Sequence, residues 1–308
     1  MFPNPYILIH EEIIDALASK KPVVALESSV FCQGLPEDLC NTAQDMIEQK
    51  VRDNHALPAT ISVLEGQIHV GTSKEERNRL LAKRRDKKLL KIAERDVAFA
   101  ISARSSGGTT VSATCLIANM VGIEVFATGG IGGVHRGSDW DISADIKSLA
   151  SHPVVVVSAG IKSILDTHKT LELLEAASVP VISYRSDLLP NFYCNQSNIQ
   201  SPHRVESLEQ VANIFRCRKK LCQPEGILLA NPLPPSLGID AQLFETELAQ
   251  GLKKAQEQNI SFQAVSPFLL HHLATNGQFD TVKANIELLK NNAQLAALLA
   301  ALLVMDHP

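Results

Sequence analysis

The stretch PVVVVSAGIKSILD, residues 153–166, sets four consecutive valines between a proline and a small-residue segment, then places Lys162 among apolar neighbours. Four valines without polar alternation predict a strand covered on both faces, as in a parallel sheet packed between helices. Runs of the same kind recur as PVVAL, ATISVL, VAFAI, IEVFA, VPVIS and GILLA, separated by segments of helical spacing. This alternation predicts an α/β fold, a largely parallel mixed sheet flanked by helices on both faces, built as a single domain over residues 1–308.

Local signals refine that outline. Glu65-Gly66 is a tight-turn signal that sends EGQIHVG back along ATISVL, predicting an antiparallel edge. Ser73 and Glu76 form a capping box ahead of RNRLL, and Pro36 stands before EDLCNTAQDMIEQKV, so both segments read as helix starts. The run AALLAALLVM, residues 296–305, is too short to span a bilayer and reads as a buried terminal helix, so no membrane role is expected.

Of the 308 residues, 45% are hydrophobic and 20% charged, the balance of a globular chain with a substantial core. A net charge of -4 gives nucleic acid no general attraction, and the basic run KRRDKKLLK reads as a solvated helix face whose last member, Lys91, is able to turn elsewhere. Six cysteines without a CxxC pair, and an N-terminus without a signal-peptide pattern, imply reduced thiols and a cytoplasmic location.

In open parallel sheets ligands bind beyond the carboxyl ends of the strands, so the residues directly after each apolar run are candidates. They are Glu27 after PVVAL, Lys162 after PVVVV and Asn231 after GILLA. Read as starting a helix, IKSILD puts Lys162 in a first turn, where the macrodipole favours the neutral amine that a nucleophile needs. The alternative is a lysine that snorkels to solvent. Glu27 reads either as an acid or as a cap or ion-pair partner.

After IEVFA comes FATGGIGGVHRGSDWDISAD, residues 126–145, with five glycines, a His-Arg pair and three aspartates. It fails as a dinucleotide fingerprint, because His135 stands where a third glycine belongs. Asp141 and Asp145 offer hard oxygen donors suited to Mg²⁺ or Mn²⁺, or serve as helix caps. Gly-Gly-Thr-Thr, ending at Thr110 before an apolar helix, reads either as a phosphate cradle or as an N-cap.

Taken in order, VALESSV, LPATISVLEGQIHVG, KIAERD, GGTTVSAT, FATGGIGGVHRG, DISAD, SAGIKSILD, ANPLP, SPFLL and NIELLKNNAQLAA resemble the pseudouridine-5'-phosphate glycosidase family over nearly the whole chain. The resemblance implies reversible cleavage of pseudouridine 5'-phosphate to uracil and ribose 5-phosphate through a lysine imine with ring-opened ribose. It also implies one Mn²⁺ per subunit, or another divalent metal, and a homotrimer. By position it makes Lys162 the nucleophile, Glu27 the proton donor and Asp141 the metal ligand. Substrate-binding positions are Lys91, Thr110, Val111, His135, Ser143, Ala144, Asp145 and Asn285. On this reading the glycines let the chain pass close to substrate, while His135, Arg136 and the aspartates organise phosphate, metal and water.

Three departures stand out: the segment between HRG and DISAD is two residues shorter than usual in the family, Gln33 replaces a common His, and Glu94 replaces a common Arg. Reversal of charge at Glu94 is expected to weaken phosphate binding. The competing functions are another Schiff-base sugar-phosphate lyase or aldolase, and a sugar-phosphate-binding protein without catalysis.

Overall fold

The computed structural model describes residues 4–137, 140–194, 198–258, 260, 265, 268–269, 272–273 and 280–305. Most of the SPFLL motif, and Ser138 and Asp139 of the shortened loop, lie outside them. The first half contains β1 (Ile7–Ile9), α1 (Glu11–Ala18), β2 (Val23–Leu26), α2 (Glu37–Arg52), β3 (Leu57–Leu64), β4 (Gln67–Val70), α3 (Lys74–Arg85), β5 (Leu89–Ile92), α4 (Val97–Ser102), β6 (Ser106–Thr109) and α5 (Val111–Val121). Then follow β7 (Val125–Ala127), β8 (Val134–His135), α6 (Ala144–Leu149), β9 (Val155–Ser158), β10 (Leu165–Asp166), α7 (Thr167–Ala176), β11 (Val181–Tyr184), β12 (His203–Val205), α8 (Leu208–Lys220), β13 (Ile227–Ala230), α9 (Ala241–Glu257) and α10 (Thr281–Met305).

Strands β2, β7, β9, β13, β11 and β12 lie side by side in that order, all parallel. Val154, Val155, Val156 and Val157 are each 0% exposed, the two-faced burial that an unalternating run predicts. On the other flank, the first half of β3 pairs parallel with β2 and its second half antiparallel with β4 and β6. α10, with α2 and α8 against it, covers β2, β7 and β9 on one face; α5, with α6 alongside, covers β2 and β7 on the other.

The turn at Glu65 and Gly66, with φ of +54° and +80°, joins β3 to β4 as expected. β4 is not the edge, however, because β1 adds to it in parallel. The Ser73 cap also holds: Ser73 N–H donates to Glu76 Oε2 at 2.8 Å and Glu76 N–H to Ser73 Oγ at 3.3 Å.

Other expectations are corrected. VAFAI is the helix α4, with Val97 and Ala100 buried and Phe99 67% exposed, since a short Ala-containing apolar run suits either period. The basic run is not one helix face, for α3 ends at Arg85 and Lys91 lies in β5. The terminal helix is 25 residues, long and apolar enough by length and composition to cross a membrane, and 56% of its most apolar window is buried in the protein.

IKSILD starts no helix, so Lys162 has no macrodipole behind it. Ile131 N–H donates to Gly160 O at 3.0 Å and Lys162 N–H to Ile131 O at 3.1 Å, holding the chain extended beside the glycine stretch. Leu165 N–H then closes a turn on Lys162 O at 2.9 Å, β10 pairs with β8, and α7 begins only where Asp166 Oδ1 caps Lys169 N–H at 3.1 Å. Tertiary pairing has overridden a local helix signal.

Candidate active site

Register brings the candidates to one rim. Leu26 lies opposite Ala127, Ala127 opposite Val157, and Ser158 opposite Ala230. The next residues, Glu27, Thr128, Ala159 and Asn231, therefore emerge together at the carboxyl ends of four parallel strands.

Glu27 is only 6% exposed, and both carboxylate oxygens are engaged: Thr128 Oγ donates to Oε1 and Ser29 Oγ to Oε2. A buried acid so held has a defined direction. Neighbouring Ser28 Oγ accepts Thr109 N–H at 2.9 Å, tying this rim to β6. Gly108 makes that approach possible, because a Cβ there would stand 2.9 Å from Ser29 Cα and 2.9 Å from Cys32 Cβ. Opposite Gly108 in β5 is Lys91.

Lys91 is exposed as a residue. Desolvation, then the charge of Lys162, push its ammonium below the ordinary lysine range, with Asp145 and Glu27 pulling the other way. These influences bring Lys91, Lys162, Glu27 and Asp145 into one electrostatic neighbourhood. On α5, burial first, then the charges of Asp145, Glu94 and Glu27, push the buried Cys115 thiol well above its ordinary range.

Asp145, 5% exposed, is a fastener: Oδ1 accepts Ser112 N–H at 3.0 Å and Oδ2 accepts Gly132 N–H at 2.7 Å. It thus joins the glycine stretch to the first turn of α5, where Val111 is buried and Thr110 Oγ lies 3.0 Å from Ser112 Oγ. Ser143 caps α6, which Ala144 begins, through Asp145 N–H at 3.2 Å. Asn285, on α10, faces Gly129, whose Cβ would stand 3.5 Å from its Oδ1.

At three positions of the glycine stretch, neighbouring protein atoms occupy the place a side chain would take. A Cβ on Gly130 would enter the Phe192 ring at 2.7 Å, one on Gly132 would meet Ser143 and Asp145, and one on Gly133 would strike Thr170. Thr170 Oγ cannot yield, since it accepts Val134 N–H at 3.0 Å and donates to Asp166 O at 2.6 Å. Gly133→Ala is expected to cost about 1–3 kcal/mol of stability, read as a lower urea midpoint at unchanged slope.

His135 and Asp141 form an adjoining pair: Nδ1 is 3.2 Å from Oδ2, and His135 N–H donates to Asp141 O at 3.0 Å. β8–β10 pairing joins them to the Lys162 turn, with His135 opposite Leu165. Arg136, expected with His135 and the aspartates to organise phosphate, metal and water, binds Ser163 O, Leu165 O and the Glu245 carboxylate. Glu94 Oε2 faces His152 Nε2 at 3.4 Å, and Gln33 is exposed on a π-helical turn, Val30–Gly34.

Sequence reading missed Ser29 and Thr128, although Thr128 directly follows IEVFA and the strand-end rule selects it. It also missed Asn292, fully buried on α10, whose amide donates to Thr128 O at 2.8 Å and accepts from Asn231 at 3.1 Å. No local pattern marks that residue.

Fold and site together define an α/β protein with a buried, hydroxyl-bound carboxyl group at the carboxyl rim of a parallel sheet. The family of indigoidine synthase A like proteins matches residues 12–302. A Fervidobacterium nodosum protein named pseudouridine-5'-phosphate glycosidase is 44% identical over 294 residues, 96% of this chain and 98% of its own length. One so named from Myxococcus xanthus is 45% identical over 292 residues, 94% and 96% of the two chains. The crystal structure of the prealnumycin C-glycosynthase AlnA in complex with ribulose 5-phosphate superposes with a TM-score of 0.89 at 35% identity, covering 98% of each chain. The chain belongs to this family, that of the pseudouridine-5'-phosphate glycosidases, as its motifs implied.

Proposed function

We propose that the protein is a pseudouridine-5'-phosphate glycosidase, an enzyme that reversibly cleaves the carbon–carbon glycosidic bond to give uracil and ribose 5-phosphate. The observation carrying this reading is the buried, doubly hydrogen-bonded Glu27 at the carboxyl rim of the sheet, tied through Ser28 to β6, with Lys91 opposite Gly108 on β5. The names of the full-length relatives support it, and the ribulose 5-phosphate bound by the structural neighbour supports a pentose-phosphate site.

A carbon-linked base cannot leave by protonation of a glycosidic heteroatom, so another electron sink is required. In the proposed sequence the free amine of Lys162 bonds to C1' as the bond from C1' to the ring oxygen breaks, and Glu27 gives that oxygen its proton. The nitrogen, four-bonded after attack, gives a proton to the Glu27 carboxylate; its lone pair then forms an iminium with C1', the C1'–C5 pair passes to C5 of the base, and a proton is taken up there. Water hydrolyses the iminium, releasing ribose 5-phosphate and regenerating the amine. Lys91 and the Thr110–Val111 start of α5 hold the phosphate; Ser143, Ala144, Asp145, His135 and Asn285 complete the substrate contacts.

Asp141 is proposed to hold one divalent cation per subunit, Mn²⁺ or a related metal. Asp141 and His135 supply a carboxylate and an imidazole, while among the described residues no group of three or more His, Cys, Asp or Glu side chains is suited to a metal. Such donors suit a hydrated cation completed by water and substrate oxygens, not a closed protein cage. Bound there, the cation would supply electrostatic stabilisation of anionic oxygens. A homotrimer in the cytoplasm completes the reading.

The decisive assay is uracil release from pseudouridine 5'-phosphate with and without Mn²⁺. Turnover of aldol substrates with this compound untouched would instead establish a different Schiff-base lyase, and binding without turnover a sensor. The lowered proton affinity of Lys91 adds a pH prediction. Its ammonium binds phosphate when protonated, so affinity is fullest at low pH and is lost as pH rises through a value below the ordinary lysine range. KM for the sugar phosphate should therefore climb in mildly alkaline buffer, and Lys91→Met should flatten that climb from an already raised KM.

A further inference from the structure

Arg136 stands beside a polar groove of about 910 Å³, yet its guanidinium is turned into the protein. Nε donates to Leu165 O at 3.0 Å and Nη2 to Ser163 O at 2.9 Å. Nη1 donates to Glu245 Oε2 at 2.6 Å and Nη2 also to Glu245 Oε1 at 2.9 Å. Four donor contacts are thereby made by a group with five N–H bonds.

The two carbonyls belong to the turn that carries Lys162, closed by Leu165 N–H on Lys162 O. No helix stiffens this turn, and Gly160 precedes it at φ +89°. One rigid fork grips it at two points, while Glu245 of α9, 109 residues away in sequence, fixes the plane of the fork. A lysine ammonium cannot reproduce that planar fork.

We propose that Arg136 is a positioning residue for Lys162, held in its working orientation by Glu245. It touches no reacting atom; it sets where the nucleophilic amine stands when the sugar arrives. The inference deepens the lysine-imine reading and rests on it for its kinetic consequence.

The test compares the full-length protein with Arg136→Gln, Arg136→Lys and Glu245→Ala. The probes are pseudouridine 5'-phosphate turnover, borohydride trapping of ribose 5-phosphate on Lys162, and hydrogen exchange at the Leu165 amide. Displacing a nucleophile by an ångström lowers kcat and the trapping rate at saturating sugar by about 100-fold, with KM changed by less than about threefold. Arg136→Lys should rescue little, and Glu245→Ala should lower the same two rates by about fivefold at native Tm. Leu165 exchange should quicken by about tenfold in each folded variant.

A raised KM with unchanged kcat would make Arg136 a phosphate ligand and overturn the proposal, as would unchanged trapping and exchange. Should the Arg136 variants fail to fold, Glu245→Ala decides, because its half-exposed carboxylate can be removed without opening the core. If the unmodified protein is never trapped at Lys162 while Leu165 exchange still responds, the imine reading fails and the support of the turn by Arg136 stands.

Discussion

Lys162→Ala is expected to release no uracil, a loss of at least about 10⁴-fold, and to take up no sugar when ribose 5-phosphate and borohydride are added. The amine is the proposed electron sink, and no neighbouring group can replace it without moving. Lys91 is the nearest chemical substitute, but it sits on β5 and reaches the rim from across Gly108. Ribose 5-phosphate should still bind the alanine variant, because Lys91 and the start of α5, the groups proposed to hold the phosphate, are unchanged. An alanine variant that retains turnover, or labelling that settles on Lys91 in the unmodified protein, would remove the basis of the mechanism.

Glu27→Gln is expected to lower kcat by about 10²–10⁴-fold, the usual worth of a positioned general acid. Glutamine keeps the volume and still accepts at one oxygen, so the fold should survive; it cannot deliver a proton to the departing ring oxygen. The amide also replaces an acceptor with a donor facing Ser29 or Thr128, and one of those hydroxyls must turn away. Imine trapping with ribose 5-phosphate, whose open-chain aldehyde needs no ring cleavage, should fall much less than uracil release. Equal losses in both assays would mean that Glu27 only supports the architecture.

Much of this was legible along the chain because the signals are local. Unalternating apolar runs marked five of the strands that build the parallel core, and the residues that follow them named Glu27, Lys162 and Asn231. Two signals misled for the same reason. VAFAI and IKSILD each suit more than one backbone conformation, and the choice was made by contacts with segments distant in sequence. For VAFAI it was burial of Val97 and Ala100; for IKSILD it was pairing with Ile131 and β8. Without a helix start, no macrodipole acts at Lys162, and burial lowers the proton affinity of Lys91.

The glycine stretch shows the division most clearly. Its composition announces a close approach of backbone, and Phe192, Ser143, Asp145 and Thr170 stand where side chains at Gly130, Gly132 and Gly133 would go. From the sequence alone came the layered α/β order, the strand ends and the family motifs, since each depends on spacing along the chain. Only the tertiary structure decided that Thr128 holds Glu27, that Asp145 fastens two loops, and that Arg136 grips the Lys162 turn. Hydrogen bonds between residues tens of positions apart obey direction and distance in space, and no local pattern encodes either.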